Sequence, residues 1–418
     1  MTKLNSQSLK KGFLIFSWAL YDLANQFFAL NVVSLYFVRW LTFEKGAPEI
    51  LYSITFGIST FFIAILAPIL GAISDITERR KIFLSYLTLL SVFFTIALGI
   101  SGNIILALVF FAIANFGCQT AIVFYNALMV NIAPRNRVGL ISGLGKMLGY
   151  SGAILALYLI KPVVLKSGYQ ATFLPTGILF LVFSLPCLIF VKDKASRSDI
   201  KLINFFNKEK ALEILRKLRI AIFNAHKVPG LMDFLKAMFF GLCAVNVIIL
   251  FMSVYATRVF GLNEAQVINL IGFSTIFAII GSISSGFISD YVGYKRCLCA
   301  IVILWIVCFL MGAVNRNLNL YWVIGALVGT ALGATWVVSR AAVIRLVPEE
   351  KIGETFGLFN LVAYLSAIVG SFYWGIILLF LSPLGALGYR IALSSLILFM
   401  LAGLFFLLRL PKLSLKNS

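Results

Sequence analysis

Apolar residues run in long unbroken stretches along this chain, and the polar residues collect in the gaps between them. A membrane-spanning helix needs about 20 predominantly apolar residues. Twelve stretches meet that length, centred near residues 25, 62, 91, 114, 150, 181, 245, 277, 305, 332, 366 and 398. They lack the ten-residue alternation of a barrel strand, so each reads as a helix that satisfies its backbone groups within the segment. The pattern predicts an all-α membrane protein of twelve transmembrane helices in two pseudo-symmetric six-helix bundles. The bundles are expected at 1–191 and 229–418, joined by a linker at 192–228.

That linker is the one long polar interruption. Within it Ala211, Leu215, Leu218, Ile222 and Ala225 step at helical spacing, with Lys208, Lys210, Arg216, Lys217 and Arg219 on other faces. The spacing predicts an amphipathic helix over 203–227 lying on lipid of the inner leaflet, where each basic residue gains roughly 1 kcal/mol from anionic headgroups. It serves as a tether in this reading; the alternative is a docking site for a regulator.

The two bundles repeat one another. GAISDITERRK at Gly71–Lys81 returns as GFISDYVGYKR at Gly286–Arg296, and Pro134, Gly139, Gly143 and Tyr150 return as Pro348, Gly353, Gly357 and Tyr364. Doubling of a membrane unit places a solute site at the repeat interface of a carrier.

Composition and charge agree with the hydropathy. At 61% apolar and 12% charged residues, the chain holds about half the charge of a soluble domain. With the N-terminus inside, 25 of the 35 Lys and Arg fall on the cytoplasmic side and seven opposite, so both termini are expected in the cytoplasm of a cell-membrane protein. The net charge of +20 is spread over short loops as insertion requires, which argues against nucleic-acid binding. Lys10 and Lys11 precede a run too long for a cleaved leader. No phosphate-cradling loop with its lysine is present, the sole histidine, His226, lies in the linker, and no nucleophile, base and orienting acid share a depth. The residues thus point away from an enzyme, and imply no cofactor and no metal.

The doubled loop resembles the signature G-x-x-x-D-[RK]-x-G-[RK]-[RK] of the major facilitator superfamily, with Ile76 and Glu78 departing from it in the first copy and Tyr291 in the second. SWALYDLANQFFAL (Ser17–Leu30), YNALMVNIAP (Tyr125–Pro134), GLGKMLGYSG (Gly143–Gly152) and SRAAVIRLVPEEKIGETFGLF (Ser339–Phe359) together look like its vacuole-effluxer branch. That resemblance implies alternating access, monomers, and amino acids as first cargo. The loops imply a gate built from Gly71, Asp75, Arg79, Arg80, Gly286, Asp290, Lys295, Arg296 and Glu354.

Two charges lie inside the spans. Asp22, about ten residues into the first helix, costs roughly 2.5–3.5 kcal/mol if ionised in hydrocarbon, and is expected either to carry a coupling proton or to serve as a structural hydrogen-bonding acid beside Tyr21 or Asn25. Arg340 either grips a substrate carboxylate with its two-pronged guanidinium or pairs with Glu354 or Asp290. A polar lining for the solute is expected from Tyr21, Asn25, Gln26, Asn115, Gln119, Tyr125, Asn126, Asn246, Tyr255, Trp336, Arg340, Asn360 and Tyr364. The reading is a proton-coupled secondary transporter of a small polar solute. Its alternatives are an exporter of lipids or amphipathic drugs with the same fold, and a non-transporting membrane sensor or scaffold.

Overall fold

The computed structural model describes residues 2–77, 80–132, 138–193, 216, 225–317, 320–347 and 351–410, and their side chains except those of 2–10, 67–69, 71–77, 130–131, 138–143, 146 and 352–354. All regular structure among these residues is helical. Twelve of the helices are long and apolar enough to cross a membrane, which makes the chain an integral membrane protein. The expected linker helix falls almost wholly outside the described residues.

The first span is unusual in its winding. Helix α1 (Thr2–Gln26) continues without a break into a ten-residue π-helical segment, Phe27–Tyr36, a single α turn at Phe37–Arg39 and a second π segment, Trp40–Glu44. The continuous apolar stretch covers Lys11–Glu44, on the order of 50 Å if wound as an α-helix and well beyond the roughly 30 Å of a hydrocarbon core. Arg39, near its far end, is 1% exposed and donates to the Tyr169 hydroxyl at 3.2 Å.

The remaining spans are α2 (Glu49–Thr77), α3 (Arg80–Leu98), α4 (Ile104–Ile132), α5 (Val138–Ser167), α6 (Phe173–Phe190), α7 (Leu231–Phe260), α8 (Glu264–Val292), α9 (Tyr294–Val314), α10 (Leu320–Leu346), α11 (Ile352–Leu381) and α12 (Ala386–Arg409). Local chemistry sets the breaks. Asn263 and Gln266 form a reciprocal capping box at the start of α8, with both bonds at 3.0 Å. Gly293 of the repeated loop takes φ +89°, a backbone open to glycine, and turns the chain from α8 into α9 within one residue.

The chain forms two compact units: Met1–Ala47 with Ile58–Leu212, and Pro48–Gly57 with Glu213–Ser418. Ten residues from the sequence of the first half therefore pack within the second unit. In the first unit α1 packs on α5 and α6, and α3 packs on α4 and α6. In the second, α7 packs on α11 and α12, and α9 packs on α10 and α12. Each pairing in one unit reappears six helices later in the other, so the sequence repeat is also a repeat of packing. The second unit has a close crossing of α8 and α10. There Gly281, Gly329 and Gly333 lie directly against the backbone of Thr330, Ser274 and Ala278, an approach that only small residues permit.

Candidate functional site

The site is built from the last turns of α1. Three glycines of α5, spaced four and three apart, present one face to it. Gly145 lies against Trp18, Gly149 against Asp22 and Gly152 against the backbone of Leu23; an added Cβ would come within 3.0 Å of Trp18 Cζ3, 3.5 Å of Asp22 Cγ and 2.7 Å of the Leu23 carbonyl oxygen. Asp22 is 5% exposed, so its carboxylate sits inside the helix bundle rather than against lipid.

Aromatic rings of the same turns of α1 pack against α4. Trp18 stacks on Tyr125 with centroids 4.6 Å apart, and Tyr21 stacks on the same ring at 4.9 Å; such pairs are worth about 0.5–1.5 kcal/mol each beyond their buried area. Trp18 Nε1 donates to the Tyr125 carbonyl at 3.1 Å, and the Tyr21 hydroxyl shares a 2.7 Å hydrogen bond with Thr88 Oγ1. The Tyr125 hydroxyl is buried with no hydrogen-bond partner among the described residues. One turn beyond Asp22, Asn25 Oδ1 accepts from the Cys118 thiol at 2.8 Å. Further along α4, Asn115 is fully buried and donates to Ser59 Oγ at 2.7 Å.

Tyr21, Asp22, Asn25 and Tyr125 are thus brought together, packed inside the first unit. Their side-chain hydrogen bonds join α1, α3 and α4. Gln26 and Gln119 are half-buried, and Asn126 is exposed. In the second unit Asn246 bonds the Leu242 carbonyl at 2.9 Å and Ser366 Oγ at 3.3 Å, tying α7 to α11. The Tyr255 hydroxyl donates to the Gly312 carbonyl. Trp336 and Tyr364 are half-buried, and Arg340 and Asn360 are exposed.

The expected pairing of Arg340 with Asp290 does not form. Asp290 is held instead by Arg345, five residues on, in a 2.6 Å ion pair, while Arg345 also donates to the Ser289 carbonyl at 3.2 Å. The pair joins α8 to α10 inside one unit, and its exposure limits it to roughly 0.2–1 kcal/mol. Arg340 is left without an ion-pair partner among the described residues. The Glu354 side chain, the side chains of Gly71–Thr77 including Asp75, and Arg79 lie outside the described residues.

Two lysines of the repeated loops act as helix caps. Lys81 Nζ donates to the Ile189 carbonyl at the end of α6, at 3.0 Å. Lys295 Nζ does the same at the end of α12, donating to the Leu408 carbonyl at 2.9 Å and to that of Leu410. The two lysines stand one residue apart in the register of the repeat, yet each satisfies the orphan carbonyls of its unit's last helix and sits at the negative end of that helix dipole. Arg80 donates to the Ala127 carbonyl of α4 at 3.1 Å. Asp193, just past α6, accepts the Lys81 backbone N–H on both oxygens at 3.1 Å. Burial pushes its carboxyl above the ordinary range, against the opposing pull of that amide and of the Lys81 ammonium. Sequence reasoning passed over Asp193 because one acid in a polar linker carries no pattern.

The profile described as Major Facilitator Superfamily matches residues 23–371 and 235–418. The chain belongs to that superfamily and is an integral membrane protein. It is 27% identical over 379 residues to the MFS-type transporter YxiO of Bacillus subtilis (strain 168), covering 85% of this chain and 86% of that one. It is 26% identical over 376 residues to a protein of Aquifex aeolicus (strain VF5), covering 90% and 92%. Solved structures share the fold at low identity. The nucleoside transporter NupG superposes with a TM-score of 0.73 at 13% identity, over 97% of this chain and all of that one. An inward-facing bacterial homologue of the human lysosomal transporter Spinster gives 0.73 at 14%, over 96% and 97%. The peptide transporter POT gives 0.68 at 14%, over 95% and 93%.

Proposed function

We propose that the chain is a secondary active transporter that moves a small polar organic solute by alternating access, with amino acids the first cargo and protons the coupling ion. The supporting observation is Asp22, an acid 5% exposed at mid-span and set against a glycine face of α5. A carboxylate buried among apolar and aromatic side chains is costly to hold charged, which suits a group that gains and loses a proton during a cycle. The exposed guanidinium of Arg340 is suited to a solute carboxylate, and Trp336, one turn earlier on α10, offers an aromatic contact. Amino-acid cargo rests on the resemblance of the α1, α4, α5 and α10 segments. Residence in the cell membrane with both termini inside rests on the distribution of lysine and arginine, and the monomeric state on the superfamily. The linker over 203–227 is assigned to anionic lipid.

The test is transport into proteoliposomes across a pH gradient, with a panel of amino acids, sugars, nucleosides and amphipathic drugs. An amino acid should accumulate, and Asp22→Asn should abolish accumulation while leaving solute exchange. Undiminished accumulation in Asp22→Asn removes the acid from coupling. A response confined to amphipathic drugs or lipids changes the cargo.

A further inference from the structure

Helix α2 is shared. Its first turns, within Pro48–Gly57, pack in the second unit, and from Ile58 onward it packs in the first. The shared turns are seated closely. Tyr52 is fully buried and meets Phe251 of α7 edge-on at 5.6 Å. Ile50 and Ser53 rest on Gly375 of α11, where an added Cβ would fall 2.6 Å from Ser53 Oγ. Glu49, 5% exposed in this apolar setting, accepts a hydrogen bond from the Tyr389 hydroxyl of α12, itself 4% exposed. The Arg258 side chain of α7 hydrogen-bonds Tyr389 in turn.

The three groups come from three helix ends: the first turn of α2, the last turn of α7 and the first turn of α12. Their charges suit those ends, with the acid at a positive terminus and the guanidinium at a negative one. They also lie at the end of α2 opposite the repeated loop, so none of the gate residues expected from sequence takes part. A packed apolar seat alone would hold α2 without a buried acid. Burying one is worthwhile where the contact must be specific and able to part, because a separated carboxylate and phenol are both soluble in water.

We infer that Glu49, Tyr389 and Arg258 form a polar lock that holds the opening turns of α2 on the second unit, and that release of this lock is a step of the transport cycle. The inference rests on the transporter reading above, but its test needs no substrate. Ser53 is fully buried beneath the lock. In the full chain purified in detergent, Ser53→Cys is labelled with a hydrophilic maleimide and the modified site located by peptide mass spectrometry. Adding Glu49→Gln should raise the labelling rate about tenfold, and Tyr389→Phe, which removes only the hydroxyl, several-fold. Ser184→Cys, fully buried in α6, reports general loosening and should label at its parental rate in both. Equal Ser53→Cys rates with and without Tyr389→Phe overturn the lock, as does a matching rise at Ser184→Cys. Loss of proton-driven accumulation in Asp22→Asn is read separately, so failure of either idea leaves the other standing.

Discussion

The first and fifth helices of each unit form the same pair, yet they are joined by different chemistry. In α1–α5 the contact is a glycine face, Gly145, Gly149 and Gly152, against a tryptophan, an acid and bare backbone. In α7–α11 the matching contact is a ring stack of Phe234 on Phe359, the Asn246–Ser366 bond, and one glycine, Gly370, pressed on the backbone of Cys243. Duplication preserved the geometry of the pair and left its contents free to diverge. The unit that holds the acid also carries the glycines that make room for it.

Three measurements sharpen that contrast. The largest effect is expected where a methyl group would strike backbone: Gly152→Ala and Gly370→Ala should each cost about 1–3 kcal/mol, seen as a lower melting temperature of the purified protein. Gly149→Ala meets the Asp22 side chain at ordinary contact distance and should stay within about 0.5 kcal/mol. A Gly149→Ala penalty equal to that of Gly152→Ala would mean the acid, rather than the backbone, sets the helix spacing.

Smaller effects come from the polar ties. Double-mutant cycles on Tyr21 with Thr88, and on Asn246 with Ser366, should each give coupling near 0.6 kcal/mol, the average for hydrogen bonds between membrane helices. Thr88 and Asn246 both keep a second bond to their own helix, to the Leu84 and Leu242 carbonyls, which limits the loss. A coupling several times larger in the first pair alone would mark the acid-bearing unit as the more tightly specified.

The smallest effect is a pH dependence at Asp193. Burial raises its folded-state pKa above the ordinary 3.8, so the folded chain holds this proton more tightly than the unfolded chain. Its contribution to stability is therefore greatest in acid and declines as pH rises from about 3.8 through the raised value. Asp193→Asn should flatten that part of the melting-temperature profile, and an unchanged slope would assign it to other groups.

Much of this architecture was legible from residue order. Twelve apolar runs and two copies of one loop fix the helices and, through the repeat, their partners. Residue type did not reveal which way a side chain turns: Tyr21, Asn115 and Tyr125, expected in the polar lining, are buried. Sequence left Asp290 open as a partner for Arg340 because Arg340 and Arg345 both lie on α10, and only the helix crossing decides that Arg345 reaches α8. Glu49 and Tyr389 stand 340 residues apart, a separation across which no local pattern carries information. The winding of the first span was equally hidden, since apolar runs look alike whether their hydrogen bonds close over four residues or five.

That winding has a mechanical consequence. A π segment packs more residues into each turn than an α-helix does, so Phe27–Tyr36 separates Asp22 from Arg39 by fewer turns than α winding would. Wound as an α-helix, the same residues would each turn the span by roughly 100°. The winding of this segment therefore sets which way Asp22 faces relative to Arg39 around the span.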